Sequence, residues 1–267
     1  MKAIFSFFLS AFLLAAMPTY AQTLNTYNGP FGQMQGKATY TYKNADDGMG
    51  RIFEGQFSFS YADVEKSKNV MLAKNETYTE TGRYHNDLRT GQWAFHQVHK
   101  AFTKDETFHL ETTYKDGLAD GRFVLKQTDA VHPEFNIEAT LTLKEGYISG
   151  RYDNVKLAAY SVYSFETDEQ YRPHGTWKVL NTMNNEFYVE EYEHGKLKQR
   201  YNYYPDTGNK EVIDSEFYLT TIPAMAAESM AGLFHRAAYY SGSTDRSCSA
   251  YYGIKAFKGW ESSVAVR

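Results

Sequence analysis

Eight histidines and 32 acidic residues are the side chains from which a reactive or metal-binding site would have to be built. His96 and His99 have a ligand-like interval for a helix, but on a strand an odd spacing sends them to opposite faces. His174 and His194 each sit in a turn directly before a glycine, Gly175 and Gly195, and would converge along one rim of a sheet. These two, with Trp93 and Trp177, are the candidate binding residues; solvated turn histidines and buried indoles are the plainer alternatives. Asp206-Thr207-Gly208 has the form of an aspartic-protease triplet, but that chemistry needs two carboxylates sharing a proton, and no second copy exists. Asp46-Asp47-Gly48 offers oxygen ligands for calcium without a downstream bidentate Glu, so a solvated turn is expected there. Glu190, Glu191 and Glu193 lie beside Tyr rings and read as a solvent face. Serine elbows, phosphate loops, His-Glu-x-x-His and paired zinc cysteines do not occur. No catalytic residue, metal ligand or cofactor is assigned.

The elements that would carry these residues are strands. With 23 Tyr, 18 Phe and 3 Trp, the chain is rich in side chains that suit a pleated surface with one wet end. Phe57, Phe59 and Tyr61 alternate with Ser58 and Ser60; Phe108, Leu110, Thr112 and Tyr114 alternate with His109, Glu111 and Thr113. Between such runs stand glycine-bearing turns, each followed by Gly-x-aromatic. The marks are Gly55 with Phe57, Gly91 with Trp93, Gly121 with Phe123, Gly150 with Tyr152 and Gly175 with Trp177; in a sixth copy Gln199 precedes Tyr201. Turn glycines such as Gly117 let the chain reverse. The second glycine is expected to leave bare backbone on which a neighbouring ring lies, so that no unit buries its ring alone. Residues 62–70 read as a charged loop and most strands as nearer six residues than ten.

Tyr-x-x-Gly-(x)3-Gly-x-aromatic resembles the MORN repeat, and more closely its bacterial variant in which Gly-x-Trp or Gly-x-Tyr replaces Gly-x-Gly. Tyr114 to Phe123, Gly82 to Trp93 and Tyr192 to Tyr201 carry the resemblance best, Tyr204 to Gly208 echoes it, and it covers about residues 37–215. It implies an extended antiparallel meander of hairpins, and scaffolding, partner binding or, for some members, membrane association.

The fold class expected is therefore all-β: an extended or curled meander of repeated hairpins over 37–219, after a lead-in loop or edge strand at 22–36. Over residues 220–241, Thr221 as N-cap, Pro223 in the first turn and an apolar stripe of Ile222, Met225, Ala226, Met230, Leu233, Phe234 and Ala237 predict one amphipathic helix packed on the sheet. Residues 242–267 would close the fold. Lys2, the apolar run Ile4 to Ala16 and Thr19-Tyr20-Ala21 predict a signal peptide over 1–21, hence an exported, periplasmic or secreted protein with no transmembrane segment after cleavage. The lone Cys248 forms no internal disulfide. Without Lys2 the charge is −5, which argues against nucleic acid. The function expected is a non-enzymatic platform for a protein or glycan partner in the envelope. A glycan hydrolase using carboxylates on the sheet is the alternative, with an outer-membrane barrel behind it.

Overall fold

Alternating aromatic and hydroxyl side chains give each strand one apolar face, and strands so patterned pair side by side. The computed structural model describes residues 23–32, 36–65, 73–213, 220–230 and 253–259. Its strands are β1 (Asn25–Phe31), β2 (Gly36–Asn44), β3 (Arg51–Glu65), β4 (Lys74–His85), β5 (Leu88–Ala101), β6 (Lys104–Lys115), β7 (Leu118–Asp129) and β8 (Ile137–Lys144). They continue as β9 (Tyr147–Ile148), β10 (Arg151–Ala158), β11 (Ser161–Thr167), β12 (Pro173–Asn181), β13 (Glu186–Glu193), β14 (Lys196–Tyr204) and β15 (Asn209–Val212). All 15 belong to one antiparallel sheet in chain order, except that β9 pairs only β8 and the path runs from β8 to β10. The sheet is not closed.

The all-β meander with a C-terminal helix is thus as expected, and of the two forms open to the lead-in it takes the edge strand, β1, whose Tyr27 stacks on Tyr40 at 4.9 Å. Other expectations differ. Strands in the first half are far longer than six residues, with 15 in β3 and 14 in β5. Residues 62–65 are strand and not loop. The pairing simply continues through Tyr61↔Tyr78 to Glu65↔Lys74, and Lys74 closes on Asp63 at 2.6 Å. The signal peptide, Val70 to Leu72, the rest of the helix beyond 230 and Cys248 lie outside the described residues.

Two backbone devices recur at one end of the hairpins. Asn86-Asp87, Asp116-Gly117, Glu145-Gly146 and His194-Gly195 are two-residue turns with positive φ at both positions, the handedness that suits twisted strands. Four residues after Asp87, Gly117, Gly146 and Tyr171 come Gly91, Gly121, Gly150 and Gly175, with φ of 65°, 117°, 116° and 66°. At Gly55, Gly91, Gly121 and Gly175 the register slips so that three residues of one strand face one of its neighbour, a large β-bulge that bends the strand and raises its twist. These glycines are therefore required for φ. A Cβ on Gly91 would meet nothing within 4 Å, so the expectation that a ring lies across them is corrected. The ring-covered glycines are others: Gly82, beneath the Trp93 indole, and Gly36, beneath Phe59.

The apolar face buries one continuous cluster from Ala38 through Trp93, Leu125, Leu157 and Trp177 to Phe257. The helix, α1 (residues 222–230), adds Ile222, Ala226 and Met230 to it, the stripe the sequence predicts. Gly121→Val forces a β-branched residue to φ near 117°. It is expected to lower the unfolding free energy in urea by about 1–3 kcal/mol. At the bulge without a positive φ, Gln199→Gly should cost no more than about 1 kcal/mol.

Candidate functional site

Trp93 and Trp177 stand two residues beyond their bulge glycines, on the face turned to the core. They are 2% and 0% exposed. Each indole N–H donates to the carbonyl of the preceding strand, Trp93 to Arg83 at 3.1 Å and Trp177 to Glu166 at 2.9 Å. Trp93 stacks on Phe57 and Phe95, and Trp177 on Phe165. Both ring faces are used inside the protein, so neither indole offers a stacking platform to a ligand.

Sequence reasoning missed what lies beside them. Glu80 and Glu190 are fully buried, each clamped by an arginine: Arg89 at 2.7 Å and Arg200 at 3.1 Å. The Glu80 carboxylate also accepts from the Tyr78 hydroxyl at 3.2 Å, and Arg89 lies 4.7 Å over the Trp93 ring. Glu190 is served more fully. It accepts from Tyr188 at 2.9 Å, from Tyr192 at 2.7 Å and from the backbone N–H of Ile222 at 2.8 Å, the first residue of α1. Burial first, and then the Glu190 charge, push the Tyr192 hydroxyl well above its ordinary value. The expectation that Glu190, Glu191 and Glu193 share a solvent face therefore fails at Glu190; Glu193 does lie exposed, paired with Lys198. The available signal was register. In Tyr188-x-Glu190-x-Tyr192 and Tyr78-x-Glu80 the carboxylate falls on the same face as the rings. Glu76, buried on the same face of β4 as Glu80, is met by Lys74 at 3.1 Å and by His99 at 3.5 Å. Carboxylates held this way are structural counter-charges.

His174 and His194 do converge on one rim, their rings stacked at 4.9 Å. The His194 backbone N–H points to Nδ1 of His174 at 3.5 Å, while its ring meets Asp168 at 3.1 Å. Burial alone would raise the Asp168 carboxyl. Side-chain and backbone hydrogen bonds from Arg172, then His194 and Gln170, outweigh it and hold that carboxyl well below the usual range. His96 and His99 fall on opposite faces, His96 facing His109 at 6.0 Å. Asp47 caps its own turn through Met49 N–H at 2.9 Å, and Asp206 accepts from Asn185 at 3.2 Å. Among the described residues, no group of three or more His, Cys, Asp or Glu side chains is placed to hold a metal ion.

The opposite face of the sheet is polar. Across β3 to β7 it carries a shallow open groove of about 570 Å³, whose polar lining includes Gln56, Arg83, Gln92, Glu111, Thr113 and Arg122. Arg83 and Arg122 are exposed there. No family model matches the chain, and no curated protein or solved structure matches it either.

Arg200→Ala strands the buried Glu190 charge and is expected to cost about 3–5 kcal/mol in urea unfolding, whereas Glu190→Gln with Arg200→Met should recover most of the loss. Asp168, with its pKa depressed by folding, stabilises the protein fully above the ordinary carboxyl range near about 4. That contribution fades as pH falls toward the depressed value. Melting temperatures recorded from pH 6 to about 2 should fall less steeply for Asp168→Asn than for the parent chain.

Proposed function

We propose that this chain is an exported, non-enzymatic scaffold of MORN-like hairpins that binds a cell-envelope partner through the polar outer face of its sheet. The observation that carries this reading is the division of labour between the two faces. The aromatic side is consumed by its own packing, whereas the other presents an open groove bearing two exposed guanidinium groups beside amides, hydroxyls and one carboxylate, Glu111, which His109 meets at 3.1 Å. The signal-like residues 1–21 support the address, and no described helix is long and apolar enough to cross a membrane. The Gly-x-aromatic series supports the family reading.

Planar guanidiniums bind carboxylates in bidentate fashion, and amides bind sugar hydroxyls. A shallow channel running across several strands suits a polymer more than a small molecule. The favoured partner is accordingly a carboxylate-bearing glycan. On an array of acidic and neutral glycans, the mature protein is expected to retain acidic members preferentially. Arg83→Ala with Arg122→Ala should weaken binding about tenfold or more while leaving the melting temperature unchanged, since both residues are exposed. Retention of neutral glycans alone, or binding indifferent to both arginines, would remove the groove from the proposal.

A further inference from the structure

The outer face continues past the groove, and strand register sets its next charged row. Thr79 pairs with His96, His96 with His109, His109 with Lys126 and Lys126 with Glu138, so β4 to β8 place these residues in one line. All of them point away from the core; Thr79, His96, Lys126 and Glu138 are exposed and His109 is half-buried. Side chains directly opposite one another in an antiparallel sheet stand about 5 Å apart at Cβ, close enough to share a ligand group. On β6 the line lies two residues from Glu111, which lines the groove. Row and groove therefore meet at Glu111 as one continuous polar surface.

The charge of this surface depends on two imidazoles. The His96 and His109 rings lie edge to face with centroids 6.0 Å apart, and Nε2 of His109 meets the Glu111 carboxylate at 3.1 Å. An imidazole ordinarily gains its charge near about pH 6.5. Burial, and then the neighbouring His109, hold His96 below that value, so its charge arrives on the acid side. Protonating His109 answers Glu111, which takes an unbalanced anion out of the path of an acidic ligand. Protonating His96 adds a cation in line with Lys126. The charged groups facing the pair are Glu111 on β6, Lys126 on β7 and, beyond it, Glu138 on β8. The remaining cross-strand and diagonal neighbours on β4 to β7 are Thr, Ala and Val. Two cations this close repel each other, and a carboxylate placed between them lifts the repulsion, so proton uptake and ligand binding promote each other.

We propose that His96, His109 and Lys126 form a second subsite for the acidic glycan, completed by acid, so that the surface holds its ligand more tightly as pH falls from 7.5 to 5.5. The inference rests on the reading of the groove as a carboxylate-binding surface. Carboxyl groups titrate near about 4, so the ligand keeps its charge over this range while the imidazoles gain theirs. Arg83 and Arg122 are charged throughout, and their contribution is the same at both ends of it. His96 lies four residues along β5 from Gln92 of the groove, about 13 Å of strand. A ligand that engages both places carries carboxylates repeated over that span, which favours a polyuronate over a glycan with one terminal acid.

The probe is a linear polyuronate, its Kd measured at pH 7.5 and 5.5 at constant ionic strength. The parent protein is expected to bind about fivefold or more tighter at pH 5.5. In His96→Gln with His109→Gln that gain should fall below about twofold, with Kd at pH 7.5 and the melting temperature unchanged. His174→Gln with His194→Gln, at the rim of turns, should keep the full gain, which separates the row from the general rise in protein charge. Arg83→Ala with Arg122→Ala reads the groove itself and should weaken binding at both pH values while preserving their ratio. Binding that needs the arginines but ignores pH would overturn the subsite and leave the groove standing. So would an acid gain that survives loss of the row histidines, or one that disappears with His174 and His194. An acid gain that needs His96 and His109 in a protein indifferent to both arginines would support the subsite and remove the groove. Absence of binding at pH 5.5 would overturn both.

Discussion

A single-layered sheet has one face to bury, and every polar atom on that face must be answered from within it. Here the demand is acute, because the buried side carries carboxylates. Glu80 and Glu190 sit among Tyr and Trp rings where an unpaired charge would be untenable, and each is met by an arginine and by tyrosine hydroxyls. Tyr78, Tyr188 and Tyr192 serve this need. A ring with a donor at its tip covers apolar surface and supplies a hydrogen bond in the same stroke.

The second regularity is in the backbone. A positive-φ turn and, four residues on, a positive-φ bulge recur from Asp87/Gly91 to Tyr171/Gly175. Turn and bulge lie at the same end of alternate hairpins, so the large bulges gather at one rim. Where Gln199 replaces glycine the slip is smaller, with two residues facing one. A side chain at that position is compatible only with the milder distortion. This one comparison within the molecule shows that the glycine is there for its dihedral angle.

Much of this was legible in the chain. Alternation of Phe, Tyr and Ser located the strands, the glycine series located the hairpins, and the stripe through Ile222, Ala226 and Met230 located the helix. What escaped is instructive for physical reasons. Charge was taken to mean solvent, which hid Glu190 although it is in register with Tyr188 and Tyr192. Strand length was underestimated because a polar residue such as Asp63 reads as an interruption, whereas it continues the face of Phe57, Phe59 and Tyr61 to the strand's end and is answered there by Lys74. His174 and His194 converge as expected, but not as two turn residues: His174 belongs to strand β12 and lies beside the β13–β14 turn that carries His194. The groove that Arg83 and Arg122 line was not legible, because β4 and β7 share it only once four strands are laid side by side.

The hydrogen bond from Ile222 N–H to Glu190 has a consequence for how the molecule comes apart. A helix that caps itself can fray without troubling its neighbours. This one begins on a charge belonging to the sheet, so detaching it withdraws a donor from an anion sealed among tyrosines. The melting of this helix is thereby coupled to that of β13 and β14, the strands that carry the anion and its arginine.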